Sequence, residues 1–323
     1  MNLLRIVIEI LAGCGAFLLG FKVLSDNMEK IAGNSLKVLF NKTLEKRLVN
    51  VGVGVAATAI VQSSSITTVM VVGFVNTGIM TLYQAAAIIM GANIGTTITG
   101  QIAALQSFDV ELIFMLLLFV GVFMDLFSKK AKIKTTGLAL AGLGLVFVGL
   151  GLMSEPMAFL KNEPSVAEFL ASVNNPLLLL FVGAFLTAII QSSSAVTAIV
   201  ISLANAGIII GGGGNAVLFI ILGSNIGTCV TALISSIGAS LNARRASVIH
   251  LIFNAIGAIL FTVLLLTWKD FFQMTFHQWF SKPSTQIAMF HTFFNTVCAL
   301  LFLPFINGLV KLSTLLVPQK TEA

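Results

Sequence analysis

Residues 54–68 read Gly-Val-Ala-Ala-Thr-Ala-Ile-Val-Gln-Ser-Ser-Ser-Ile-Thr-Thr, and residues 183–197 read Gly-Ala-Phe-Leu-Thr-Ala-Ile-Ile-Gln-Ser-Ser-Ser-Ala-Val-Thr. The second string begins 129 residues after the first, and its polar centre, Gln62-Ser63-Ser64-Ser65, recurs intact as Gln191-Ser192-Ser193-Ser194. The register holds outward, pairing Gly20 with Gly149, Ser25 with Ser154, Met28 with Met157, Asn76 with Asn205 and Gly78 with Gly207. Past a three-residue insertion at Gly211–Gly214 the offset becomes 132. There Gly91-Ala-Asn93-Ile-Gly95-Thr96 matches Gly223-Ser-Asn225-Ile-Gly227-Thr228, and Thr99 matches Thr231. Self-similarity at one period over this length is the signature of a duplicated unit.

The composition says where the unit lives. The 323 residues carry 18 Lys+Arg and 12 Asp+Glu, or 9% charged residues, with 57% hydrophobic residues. A typical globular protein has about 25% charged residues, and mean hydropathy here is +1.03. Thirty charges do not cover the surface of a soluble fold this size. A disordered chain, a disulfide-rich secreted scaffold and an ordinary cytosolic enzyme are excluded by the same arithmetic. The net charge of +6 does not indicate nucleic acid, because no Lys or Arg lies between Arg47 and Lys129 or between Lys161 and Arg244. Cys14, Cys229 and Cys298 stand far apart in apolar segments and read as packing residues. The apolar stretch 6–24 is read as a membrane span and not a cleaved leader, since Glu9 interrupts it and it has a repeat counterpart.

Basic residues cluster at Lys30/Lys37/Lys42/Lys46/Arg47, at Lys129/Lys130/Lys132/Lys134 and at Arg244/Arg245. Residues 25–50 hold five Lys/Arg, whereas the counterpart 154–175 holds Lys161 beside Glu155, Glu163 and Glu168. The positive-inside rule then puts the first loop in the cytoplasm and the second outside, so the two repeats run with opposite topology. Residues 48–108 and 169–243 contain no charge. A span needs about 20 apolar residues, so each block has room for three limbs but must make one net crossing. One span plus a two-limbed re-entrant hairpin fits. Helices are expected to break at the Gln-Ser-Ser-Ser tips and at the Asn-Ile-Gly-Thr turns, because irregular backbone at that depth must line a cavity or be buried.

The expected fold is therefore an all-α polytopic membrane protein. It has two inverted-topology repeats, each with a re-entrant hairpin and a broken helix, plus one extra C-terminal span. Repeat 1 covers 1–128 with its tip at 62–65, and repeat 2 covers 129–268 with its tip at 191–194. Residues 269–323 supply the extra span at about 287–305 and a short tail. The N-terminus is expected outside the cell and the C-terminus in the cytoplasm.

At each tip, serine hydroxyls join the free N–H groups of a helix start. Ser63, Ser64, Ser65, Ser192, Ser193 and Ser194 thus form a converging donor set suited to a tetrahedral oxyanion. The oxygens of the Asn-Ile-Gly-Thr turns suit a hard monovalent cation such as sodium. No Lys or Arg lies in either uncharged block, so an anionic substrate is expected to bring its own cations; a neutral substrate satisfies the same observation. Gly142, Gly144, Gly149 and Gly151 read as a helix-packing stripe, and Gly211–Gly214 as a connection. Glu9, Asp26 and Asp125 lie near segment ends and read as interfacial. His250 and His291 each precede an asparagine by four residues, Asn254 and Asn295, and read as packing residues or as gating groups.

The doubled Gln-Ser-Ser-Ser motif, the two Asn-Ile-Gly-Thr turns and the run His250-Leu-Ile-Phe253-Asn254-Ala-Ile-Gly257 resemble the type II sodium–phosphate cotransporter family across residues 10–265. The resemblance implies phosphate held between the tips near Ser63, Ser64, Ser192 and Ser193. It implies sodium around Gln62, Gln191, Ser65 and Ser194 and around Asn93, Thr96, Asn225 and Thr228. It implies no catalytic residue and no cofactor beyond Na+ as coupling ion. Eukaryotic members carry a His-Asp-x-x-Asn run after the first turn, and residues 111–127 show no equivalent. The chain also lacks their long extracellular loop, which gives it the look of a minimal bacterial version in the cell inner membrane. Its partners are then phosphate, Na+ and the lipid bilayer, with no nucleic acid. A homodimer is compatible with the sequence but has no direct signal in it. Two other classes stand beside this one. The first is an exporter, or a carrier of another oxyanion or a neutral solute. The second is a membrane scaffold or an intramembrane serine enzyme using Ser193 and His250, though a hydrolase needs one nucleophile and the triplet is duplicated.

Overall fold

A computed structural model describes residues 3–41, 46–108, 110–161 and 163–319. Lys42 of the first basic cluster and the 320–323 tail lie outside the described residues. The described residues form helices and no β-strand. The first half holds α1 (Leu3–Asn41), α2 (Arg47–Val61), α3 (Ser64–Asn76), α4 (Leu82–Ala104) and α5 (Glu111–Phe127). The second half holds α6 (Ala131–Lys161), α7 (Pro164–Ser172), α8 (Pro176–Ile190), α9 (Ser193–Asn205), α10 (Ala216–Ser235) and α11 (Leu241–Thr267). Two short turns, α12 (Phe271–Met274) and α13 (Phe276–Trp279), lead into α14 (Pro283–Phe302) and α15 (Ile306–Leu316).

Among the described residues, six helical stretches are long and apolar enough to cross a membrane: Leu4–Leu36, Leu82–Ser107, Ala131–Lys161, Ala216–Ser235, Leu241–Thr267 and Pro283–Leu316. The three limbs expected in each uncharged block are there. Two are short, at 15 and 13 residues for α2 and α3 and again for α8 and α9. At 1.5 Å per residue the short limbs reach about 20–22 Å, less than the roughly 30 Å of a hydrocarbon core. The third limb, α4 or α10, is long enough to cross.

One expectation is overturned. The Asn-Ile-Gly-Thr segments do not break their helices: α4 runs unbroken through Gly91–Thr96, and α10 through Gly223–Thr228. Their glycines serve close helix crossing. A side chain on Gly54 or Gly91 would collide with the Ile88 or Val51 carbonyl, and one on Gly183 or Gly223 with the Ile220 or Leu180 carbonyl. The repeat-related Gly95 and Gly227 face the Thr58 and Thr187 side chains, whose Cβ atoms lie 2.8 and 2.7 Å from where a glycine Cβ would sit. A Gly-x-x-x-Gly face brings two backbones together where apolar lipid offers no other drive for association. Each crossing braces the helix that ends at a tip, α2 by α4 and α8 by α10. The glycine stripe of α6 behaves as read, with Gly142 and Gly149 set against α1, and Gly144 and Gly151 against α5.

The C-terminal helix has a place the sequence does not announce. α11 packs on α3 and α10, and α14 packs on α9 and α4. α14 thus stands to the second tip as α11 stands to the first. α5, the counterpart of α11 in repeat order, packs on α6 and buries only Gly121 among its residues. The His-x-x-x-Asn helix missing after the first turn is therefore supplied from outside the repeat, as His291 and Asn295 of α14. Both histidines and both asparagines are buried, and each asparagine Nδ2 donates to its histidine's carbonyl, at 3.2 Å for Asn254 and 2.9 Å for Asn295.

Candidate functional site

The two tips are built alike to within a few degrees. α2 ends at Gln62 with φ 59° and ψ 23°, and α8 ends at Gln191 with φ 57° and ψ 27°. Each glutamine N–H donates to the threonine carbonyl four residues back, Thr58 or Thr187, at 2.7 Å. Ser63 and Ser192 then cap α3 and α9, each hydroxyl accepting an N–H, from Ile66 or Ala195, at 3.2 Å. Among the described residues, Gln62 and Gln191 are the only non-glycine residues with positive φ. That conformation costs an ordinary side chain on the order of 1 kcal/mol or more, which glycine would avoid. Keeping glutamine in both copies means that the side chain is wanted there.

The tips meet around a cavity of about 350 Å³, lined by residues 62–66 and 190–194 of the two tips and by Leu18, Phe21, Lys22, Ser25 and Asp26 of α1. Ser64 and Ser193 are buried in its wall. The first-turn N–H groups of α3 and α9 have no acceptor within their own helices, and the positive ends of both helix dipoles lie at the same space. Ser25 Oγ donates to the Val61 carbonyl at 2.8 Å and ties α1 to the end of α2. Thr99 Oγ1 donates to Gln62 Oε1 at 3.3 Å and ties α4 to the same tip. Asp26 also lines a separate crevice between α1 and α3, with Glu29, Lys30, Gly33, Leu36, Met70 and Phe74.

The structure thus brings together eight of the sequence candidates, Gln62 through Ser65 and Gln191 through Ser194. It places Asn93, Thr96, Asn225 and Thr228 elsewhere, buried within α4 and α10. There Asn225 and Thr228 hydrogen-bond to carbonyls one turn back, at 3.0 Å each, while Asn93 Nδ2 has no partner. The hydroxyls of Thr58 and Thr68, and of their repeat partners Thr187 and Thr197, are buried and unpartnered. Among the described residues Ser193 makes no hydrogen bond to His250.

α1 adds two residues that the sequence reading did not place at the site. Asp26, read from the sequence as interfacial, also lines the cavity, and Lys22, which lies outside both uncharged blocks, lines the same wall. Lys22, Ser25 and Asp26 have the i, i+3, i+4 spacing that aligns side chains on one helix face. That polar stripe in an otherwise apolar span is the signal that could have found them.

At the other end, Gln106, Ser107, Ser154, Ala158, Asn205, Ala206, Lys282 and Pro283 line a cavity of about 470 Å³ that shares none of the residues of the tip cavity. Ser154 and Ala158 are the repeat partners of Ser25 and Glu29. Side-chain contacts link the segments at this end. Gln106 Nε2 donates to Ser154 Oγ at 2.5 Å, Lys282 Nζ donates to the Ser107 carbonyl, and Lys282 Nζ lies 3.8 Å from the centre of the Phe108 ring.

Comparison with known proteins gives a family. The family model described as Na+/Pi-cotransporter matches residues 16–155 and 162–278. A Bacillus subtilis protein named "Uncharacterized protein YqeW" is 34% identical over 83% of this chain and 84% of its own length. An Escherichia coli protein named "Putative inorganic phosphate export protein YjbB" is 26% identical over 98% of this chain, which spans 56% of that relative. Human "Sodium-dependent phosphate transport protein 2B" is 37% identical over 28% of this chain and 13% of its own length. No solved structure matches the chain.

Proposed function

The chain belongs to the Na+/Pi-cotransporter family, and on that premise we propose that it carries inorganic phosphate across the cell membrane with sodium as the coupling ion. The observation that carries this reading is the tip cavity, where two matched helix starts present serine hydroxyls and free N–H groups to one space. Such donors suit the oxygens of a tetrahedral anion and cost little to organise, because the N-caps already hold them. Gln62, Gln191, Ser65 and Ser194 supply oxygens for sodium beside the anion, and Asn93, Thr96, Asn225 and Thr228 line the helices behind. The unpartnered hydroxyls of Thr58, Thr68, Thr187 and Thr197 add further oxygen donors.

The proposed topology follows the basic clusters. α1, α4 and α5 cross in the first repeat and α6, α10 and α11 in the second, with the short paired limbs entering and leaving on one side. α14 then returns the chain to the cytoplasm. Two arginines of the basic clusters support this arrangement. Arg47 donates to the Pro304 carbonyl at 3.2 Å, and Arg245 to the Val317 carbonyl at 3.0 Å, so both cap C-terminal carbonyls on the expected cytoplasmic side. In this topology the tip cavity opens inward along α1 and α3. The cavity at Gln106, Ser154 and Lys282 is the outward vestibule, bridged by the Gln106–Ser154 and Lys282–Ser107 contacts. Rocking one half against the other exchanges the two, which is alternating access.

Reconstitution tests the coupling. In proteoliposomes, phosphate flux is expected to rise when a sodium gradient is imposed in place of a potassium gradient of equal size. Flux indifferent to that exchange would refute sodium coupling. The name of the Escherichia coli relative favours a second reading of the same site, with net movement outward. Cells expressing the protein would then lose phosphate faster when loaded and would gain none from a dilute medium.

Breaking the latch tests the gate. In a variant with Cys14, Cys229 and Cys298 replaced by serine, Asn205→Cys reports access to this vestibule. Adding Gln106→Ala is expected to speed its reaction with a membrane-impermeant thiol reagent applied outside by severalfold. An unchanged rate would mean that the Gln106–Ser154 contact holds nothing shut.

A further inference from the structure

The tip cavity is nearly symmetric in shape but not in charge. Its two tips contribute only neutral groups, and the charged residues lining it are Lys22 and Asp26, both from α1. Both are exposed to the cavity, and among the described residues neither is held in an ion pair. The duplication does not reproduce the lysine. Its repeat partner is Gly151, and a side chain there would run into the Glu111 carboxylate, whose Oε1 lies 2.7 Å from the Cβ position. On α6 the matching position carries no charge and faces α5, while on α1 it carries a cation.

We infer that Lys22 is the substrate-positioning residue whose ammonium draws the anion to the α1 wall and makes the site favour the doubly charged form of the oxyanion. This rests on the phosphate reading of the tips. Serine hydroxyls and backbone N–H groups hold either protonation state of phosphate, since they offer partial charges alone. A full charge on the same wall interacts with a dianion twice as strongly as with a monoanion at equal distance. The ammonium is also a mobile donor on a long stem, so it can follow the anion as the tips move. Asp26, one turn further on, lines both this cavity and the separate α1–α3 crevice, where it repels an anion and attracts a cation.

The test is phosphate binding to the purified full-length protein in saturating sodium, measured across the second ionisation of phosphate. For the wild type, the total phosphate needed for half-saturation is expected to fall as pH rises and the dianion accumulates. Lys22→Met is expected to raise it about tenfold at the alkaline end and to flatten the pH dependence, while thermal stability stays unchanged. Lys22→Arg should restore both affinity and slope, and Asp26→Asn should keep or steepen the slope. A Lys22→Met protein with wild-type affinity and slope overturns the inference, and so does an Asp26→Asn protein that loses the slope in the same way. A wild-type protein that binds no phosphate with sodium present sinks instead the functional reading beneath it.

Discussion

Replacing Gln191 with glycine is expected to leave the protein as stable as before, or slightly more so, and to abolish most sodium-stimulated phosphate transport. Gln62→Gly should have the same effect on transport but gain less stability, because it also loses the Ala59 and Thr99 hydrogen bonds. Both positions have left-handed backbone, φ 59° and 57°, where glycine carries no Cβ penalty. Relief of that penalty is worth on the order of 1 kcal/mol. What glycine removes is the amide. A hydrogen bond or ion contact made to a charged partner is worth about 1.5–3 kcal/mol, so the loss amounts to roughly 10- to 100-fold in affinity. The measurement pairs a thermal unfolding curve with sodium-dependent flux for each variant. Gln62→Ala sharpens it, because alanine removes the amide but keeps the strained backbone. Glycine variants that transport normally would show that the glutamines are there for some reason other than ligand contact.

The second large effect is on folding. Gly91→Ala and Gly223→Ala are expected to destabilise the protein by about 3 kcal/mol or more, although each adds a single methyl group. That methyl would meet the Val51 or Leu180 carbonyl oxygen, which is backbone and cannot rotate away. The helices α2 and α4, or α8 and α10, would have to separate, and the tip at the end of α2 or α8 would shift with them. Gly52→Ala in α2 and Gly73→Ala in α3 supply the contrast, since nothing lies within 4 Å of the added atom at either position. There alanine should stabilise its helix by up to about 1 kcal/mol. Folded yield and thermal midpoint in detergent separate the two pairs. Equal behaviour of all four variants would mean that the close helix crossings do not exist.

These two sets of glycines show where reading the chain alone stops. The string Gly-x-x-x-Gly inside a polar hexapeptide is the same whether it bends a helix or lets another helix approach. The turn expectation at Asn93 and Asn225 failed because the deciding partner, the backbone of α2 or α8, lies some forty residues away in the chain. The Gln-Ser-Ser-Ser break was legible because its causes are local. A serine at the N-cap and a chain reversal one residue earlier involve no atom more than four residues distant.

The same division runs through the site. Its membrane setting, duplication and paired tips are written in composition, in the 129-residue offset and in the four-residue polar islands, all short-range or statistical properties of the chain. The place of Lys22 and Asp26 beside those tips depends on how α1 lies against the end of α2, where Ser25 grips the Val61 carbonyl. The substitution of α14 for α5 beside the second tip likewise appears only when the helices are packed. Hydrophobicity tells a helix to enter the membrane but does not choose its neighbours there. That choice is made by steric fit between glycine faces and by the few buried polar contacts, and only the tertiary structure sets both.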